Sequence, residues 1–203
     1  MKQAAATKKE TAAHTYPRGV HCNGTDVQID LLRAGDEAEL LAFAQSLPEH
    51  DLLFMSRDIA QPPVLKAWIR ESVELGRMPS LLARAGGKVI GCSALMHDSH
   101  SWSPHVGELR AVVGAGARGL GLGRHLIQES FVQALAIGLE KLVAQMTTDQ
   151  RGAIALFESM GFRPEALLAQ HVRDRSGRKH DIVVLSHDVA AVQGRLAAFG
   201  VGE

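Results

Sequence analysis

The residues best suited to chemistry are five glycines within ten positions, Gly114, Gly116, Gly119, Gly121 and Gly123. They lie between a strand pattern and a helical pattern. Each glycine placed in a helix would cost about 0.5–1 kcal/mol relative to alanine, and the helix dipole disfavours Arg118 and Arg124 at a helix start. A bound anion would offset both effects, because bare amides at a helix N-terminus bind phosphate. The segment therefore predicts a phosphate-binding turn.

Two overlapping motifs in this turn imply different ligands. GAGARG at 114–119 matches the G-x-G-x-x-G pattern of dinucleotide-binding folds, with Asp149 as a candidate ribose acid. A dinucleotide fold should continue with further strand–helix–strand units, whereas one helix and then a hairpin pattern follow here. No Lys-Ser/Thr follows the glycines, so the turn is not a Walker loop. RGLGLG at 118–123 is the second motif.

This second motif resembles the acyl-CoA pyrophosphate motif of GNAT acetyltransferases, (Q/R)-x-x-G-x-(G/A). Four residues separate it from the strand ending at Val112-Val113, as in the family's substrate-binding strand. Downstream, Ala153-x-x-Leu156-Phe157-x-x-x-Gly161-Phe162 resembles the family signature A-x-x-L-Y-x-x-x-G-F. The order of strands and helices from 27 to 189 is also similar.

The resemblance implies acetyl-CoA as co-substrate and acetyl transfer to a primary amine of a small molecule or peptide. In the family, amides of the turn hold the pyrophosphate, and main-chain groups of the preceding strand hold the pantetheine and the acetyl carbonyl. The implied cofactor-binding residues are Val112, Val113, Arg118, Gly119, Leu120, Gly121, Leu122, Gly123, Arg124, Gln150 and Phe157.

Candidates for proton transfer are few. Glu108, on the strand leading to Val113, is the candidate general base, because an amine must be neutral to attack. The alternative is an exposed strand glutamate paired with a basic residue. Phe157 stands where many relatives have a tyrosine, so it supplies no general acid; it is either core or a pantetheine contact. An acyl-CoA-binding protein without catalysis is therefore the alternative function.

Other clusters carry weaker signals. The loop histidines His97, His100 and His105 lack metal-site spacing, so we predict no metal and favour a role near the acceptor. His180-Asp181 is a candidate for the acceptor rim, or a solvated pair. The segment 49–58 either shapes the acceptor pocket or packs under a loop.

These residues must be positioned by an α+β fold: a GNAT-like mixed, mostly antiparallel sheet with a central parallel crossover, flanked by helices. We expect a mobile tail at 1–24, a single domain at 25–203 and a short helix near 190–199. Strand patterns cover 27–32, 106–113 and 141–147, with hairpins at Gly86-Gly87 and 173–179.

Composition limits the function classes. The 203 residues carry a formal net charge of +0, which does not favour nucleic acid or an anionic membrane. Two distant cysteines and the lack of a long apolar run favour a cytoplasmic protein. Relatives often form homodimers, and the edge strands are candidate interfaces.

Overall fold

The computed structural model describes residues 14–189, which form one eight-stranded sheet with helices on both faces. The strands are β1 Arg18–Cys22, β2 Thr25–Leu31, β3 Ser80–Ala85, β4 Lys88–Met96, β5 Val106–Val113, β6 Lys141–Thr147, β7 Arg163–Arg173 and β8 Lys179–Asp188. The α-helices are α1 Glu37–Ser46, α2 Glu49–Leu52, α3 Pro62–Ile69, α4 Leu122–Ala136 and α5 Arg151–Ser159.

The strand order is β1-β2-β3-β4-β5-β6-β8-β7. Every neighbouring pair is antiparallel except β5 and β6, which are parallel and joined through α4. The predicted α+β class with one parallel crossover is confirmed.

The predicted boundary after residue 24 is wrong, because β1 pairs with β2 along its whole length. Buried Glu129 of α4 holds this segment, accepting hydrogen bonds from Arg18 Nη1 at 2.5 Å and from the Tyr16 hydroxyl at 2.9 Å. Burial raises the pKa of Tyr16 to about 12. These long-range contacts leave no local pattern in the sequence. Residues 1–13 and the predicted helix at 190–199 lie outside the described residues.

The two faces of the sheet pack into separate clusters. Leu40, Phe43, Leu65, Trp68 and Val112 are among the buried residues under α1 and α3. On the other face, the cluster under α4 and α5 includes Leu109, Ile127, Leu142, Phe157 and Phe162. Side chains alternate along a strand, so Glu108 and Arg110 project from the same face of β5 as Val112.

The close packing where β5 meets β6 generates a stability prediction. A Cβ at Gly107 would clash with Leu139 Cδ1 and lie 3.1 Å from Leu95 Cδ1, and both leucines are buried. Gly107→Ala should therefore lower the free energy of unfolding by about 1–3 kcal/mol through overpacking. Gly19→Ala is the control, because nothing lies within 4 Å of a Cβ there. Denaturant unfolding of both variants measures the difference, and equal stability would contradict the packing.

Candidate active site

A cleft opens between β5 and β6 because the two strands pair over only three residues, Val106–Glu108 with Lys141–Val143. Beyond that point β5 stays paired with β4 as far as Val113, and β6 stays paired with β8 as far as Thr147. Among the described residues, the second half of β5 therefore has no ladder partner on its β6 side.

The register decides which main-chain groups face this cleft. Gly114 N donates to Ile90 O of β4 at 2.9 Å, and hydrogen-bonding direction alternates along a strand. Val112 therefore directs its main chain to β4, while Ala111 and Val113 direct theirs into the cleft. This corrects the predicted main-chain role of Val112 and adds Ala111. The sequence located this strand segment, but it did not show which of its residues direct their main chain into the cleft. That depends on how β5 pairs with β4.

The glycine turn follows directly and fits a phosphate group. Gly119 and Gly121 have φ values of +77° and +84°, with no atom within 4 Å of a Cβ built on either. Gly121 is the N-cap of α4, and the first amides of a helix have no acceptor within it. A Cβ at Gly123 would lie 2.9 Å from Leu156 Cδ2, so this glycine lets α4 approach α5. The turn is thus a cradle of bare amides at a helix N-terminus.

The arginine side chains of the turn point elsewhere. Arg118 forms an ion pair with Asp51 of α2, and Arg124 Nη2 donates to Ser159 Oγ at 2.9 Å. Their main-chain amides are also engaged, because Arg118 N donates to Ala115 O at 3.4 Å and Arg124 N donates to Gly121 O at 3.1 Å. The amides between them, from Gly119 to Gly123, are the ones that form the cradle. The Arg118–Asp51 pair also attaches α2 to the glycine turn.

Gln150 and Phe157 occupy different environments. Gln150 is the N-cap of α5, and its Nε2 donates to His50 O at 3.4 Å. Its buried Oε1 has no hydrogen-bond partner among the described residues, which leaves an acceptor for a ligand N–H. Phe157 is only 2% exposed and packs against Phe54 and Phe162, with ring centroids 6.3 and 4.9 Å away. Of its two interpretations, these contacts match core packing.

Arg110 is a site residue that sequence reasoning missed. Its guanidinium is buried where β5 and β6 separate, and Nη1 donates to Phe54 O at 2.6 Å and to Gln145 O of β6 at 3.0 Å. Burial lowers the pKa of Arg110, and the charge of Glu108 opposes that shift. The available signal was an arginine two residues after Glu108, in a strand whose other residues are apolar or glycine.

Glu108 pairs with Arg110, and its side chain is 27% exposed. The observed contact is the one expected for a strand glutamate paired with a basic residue. It leaves the carboxylate at the closed end of the cleft, on the face that carries α1 and α3.

A second cleft of about 280 Å³ lies between the segment 49–58 and the turn joining β7 to β8. Two contacts connect its walls: Arg175 N donates to Glu49 Oε1 at 2.5 Å, and Arg175 Nη2 lies 2.7 Å from Asp58 Oδ2. Leu52, Leu53 and Met55 contribute apolar lining. The segment 49–58 therefore lines a cleft and also buries Leu52, Phe54 and Met55 in the core.

The remaining histidines divide into two groups. His100 is exposed and lies 3.8 Å from Asp98 within its own loop, and His97 and His105 join no multi-residue cluster among residues 14–189. His180 instead lies beside His50, with ring centroids 5.5 Å apart, and bonds Asp174 rather than standing as a solvated pair. His50 was not singled out from the sequence, because its partners are distant in the chain.

Residues 41–162 match the Acetyltransferase (GNAT) family. The chain belongs to this family. It carries an acetyltransferase domain of the GNAT type, whose co-substrate is acetyl-CoA. The predicted fold and family are confirmed.

Similar proteins agree with this assignment. An IAA acetyltransferase of Azospirillum brasilense is 35% identical over 82 residues, covering 40% of this chain and 52% of the relative, so the match spans about half the relative's length. A GNAT-family acetyltransferase from Streptococcus pneumoniae superposes with a TM-score of 0.68 at 24% identity, covering 80% of this chain and 99% of that one. YncA from Salmonella typhimurium, solved with its cofactor acetyl-CoA, gives 0.67 at 21% identity, covering 80% and 94%.

The GNAT fold removes the dinucleotide alternative. The described residues form one parallel strand pair in an otherwise antiparallel sheet, without the repeated units of a dinucleotide-binding fold. GAGARG at 114–119 is thus not a dinucleotide fingerprint. Within the same residues, no helix has both the length and the hydrophobicity needed to cross a bilayer.

Arg110 provides a test of how the cleft is held open. Arg110→Met should lower the free energy of unfolding by about 3–5 kcal/mol, because it leaves Glu108 and two carbonyls without their partner in a buried setting. Arg70→Met removes an exposed pair with Glu74 and should cost less than about 1 kcal/mol. Denaturant unfolding distinguishes them, and a small loss in Arg110→Met would show that Arg110 does not support the cleft.

Proposed function

We propose that this protein transfers the acetyl group of acetyl-CoA to a primary amine by direct attack of the amine on the thioester. One structural feature supports the proposal. β5 stops pairing with β6 after Glu108 and leads directly into the glycine cradle at the start of α4. Such an arrangement offers main-chain groups to an extended ligand ending in phosphates.

Binding rests on main-chain groups. The amides from Gly119 to Gly123 take the pyrophosphate, and the cleft-facing groups of Ala111 and Val113 take the pantetheine arm. The buried Oε1 of Gln150 accepts from an amide of that arm. When bound, acetyl-CoA supplies an acetyl group already activated as a thioester.

The acceptor enters from the face that carries α2. There the 280 Å³ cleft combines apolar lining with three acids and three arginines, so it offers both charges to a polar acceptor: Glu49, Asp58 and Asp174, and Arg57, Arg173 and Arg175. A small-molecule or peptide amine is the acceptor class that this mixed surface supports.

Glu108 is the proposed general base. One carboxylate oxygen is engaged by Arg110, which leaves the second to take a proton from the amine directly or through water. Phe157 offers no proton to the leaving thiolate. A thiol with an ordinary pKa of about 8.5 can leave without one.

The cofactor assignment is tested with Gly121→Glu. A side chain at this positive φ should obstruct the phosphate cradle and place a negative charge beside it, so the affinity for CoA should fall at least about 100-fold by calorimetry. Gly138→Glu, at φ +78° beyond the other end of α4, carries similar strain without approaching the cradle. Equal CoA affinity in the two variants, or preference of the parent protein for NAD, would overturn the assignment.

The base is tested with Glu108→Gln in an amine panel monitored by thiol release. We expect kcat to fall about 10²–10⁴-fold with unchanged CoA affinity, the contribution typical of a general base. Glu165→Gln is the control, because Glu165 is also a strand glutamate, bonded to Lys141 at 2.6 Å. Full activity of Glu108→Gln would exclude it as the base. Tight CoA binding by the parent with no thiol release on any amine would favour the non-catalytic alternative.

A further inference from the structure

Three side chains from separate elements converge beside the acceptor cleft: His50 of α2, Asp149 beyond β6 and His180 of β8. One potential ligand atom of each lies within 4.8 Å of the others. Their side chains are 39%, 62% and 11% exposed, so the group is accessible from solvent yet anchored on one side.

The spacing suits a small metal ion. His50 Nε2 lies 3.2 Å from Asp149 Oδ2, and bonds of about 2.0–2.2 Å in a tetrahedral site place neighbouring ligand atoms roughly 3.3–3.5 Å apart. The His50 and His180 rings are tilted by 58° rather than stacked. The ligand atom of His180 lies within 4.8 Å of the other two, so metal binding would draw it closer to them.

A carboxylate also braces the far side of His180. Asp174 Oδ2 lies 2.9 Å from His180 Nε2 and is itself fixed by Ser176 Oγ at 2.7 Å and Arg178 N at 2.9 Å. Metal-binding histidines typically donate their second ring N–H to such a group. This brace leaves His180 Nδ1 as the nitrogen for a metal.

We propose that His50, Asp149 and His180 form a binding site for a divalent transition metal of the Zn²⁺ type, completed by water. Two imidazoles and one carboxylate are the donors that such ions favour over Mg²⁺ or Ca²⁺. The metal would connect α2 to the end of β6 and to β8. Because α2 is also attached to the glycine turn through Asp51 and Arg118, the site lies where it can fix the acceptor-side wall.

The test uses full-length protein without a histidine tag, stripped with EDTA and titrated with Zn²⁺ by calorimetry. We expect saturable 1:1 binding that weakens at least about 10-fold in His50→Asn and in His180→Asn. Asp174→Asn should weaken it about 10-fold, as removal of a bracing partner does. Co²⁺ should give the visible absorption of a tetrahedral site, lost in the same variants.

Two controls remove histidines outside the proposed site and leave His50 and His180 in place. His21→Asn removes an exposed His–Asp pair at 2.8 Å that lacks a third ligand, and it should bind Zn²⁺ as the parent does. A variant with His97, His100 and His105 all changed to Asn should do the same. CoA affinity, measured in parallel, reports on the proposed function independently.

The proposal would be overturned if the parent protein bound no Zn²⁺, or if His50→Asn and His180→Asn both bound it with unchanged affinity. Binding lost only in the triple loop variant would assign it to the 97–105 loop. Circular dichroism of each variant verifies folding, and the two histidine variants test the site separately should one fail to fold.

Discussion

The constraint on which the site depends is the loss of pairing between β5 and β6 after Glu108 and Val143. Parallel strands normally continue their ladder, so something must occupy the point of separation. Arg110 does so, by donating to Gln145 O across the gap and to Phe54 O above it. An arginine can satisfy several acceptors at once because its guanidinium presents five N–H donors in a fixed plane. Its burial is tolerated because it is paired.

In the proposed binding mode, separation of the strands makes side-chain identity matter little on the cofactor side. Ala111 and Val113 would contribute main-chain groups, and the glycine turn would contribute amides at the start of α4. Arg118 and Arg124 use their side chains for contacts with Asp51 and Ser159. Phe157 can therefore replace a tyrosine and pack in the core without altering the cradle.

The proposed acceptor side is built differently, from side chains that bring distant segments together. Arg175 connects the β7–β8 turn to Glu49 and Asp58, and His50 lies against Asp149 and His180. Charges so close to one another suit a polar acceptor and the proposed metal. The two sides share α2. His50 of this helix belongs to the cluster with Asp149 and His180, and the next residue, Asp51, pairs with Arg118 of the glycine turn.

The sequence by itself determined the elements and the turn. Periodicity identified β5, α4, β6 and α5, because each buries a face at regular spacing, and the concentration of glycines between β5 and α4 predicted an anion-binding turn. The resemblance to GNAT proteins rests on this local spacing, and family membership confirms it.

Tertiary structure alone decided what depends on pairing and on distance along the chain. The register with β4 turned Val112 away from the cleft and Ala111 towards it, because a strand's hydrogen bonds alternate in direction. Glu129 bonds Arg18 of β1, more than a hundred residues away in the chain, and Arg110 donates to carbonyl groups on other elements. His50, Asp149 and His180 are far apart in the chain, and only the fold brings them within 4.8 Å, because convergence of side chains is a property of packing and leaves no periodic trace in sequence.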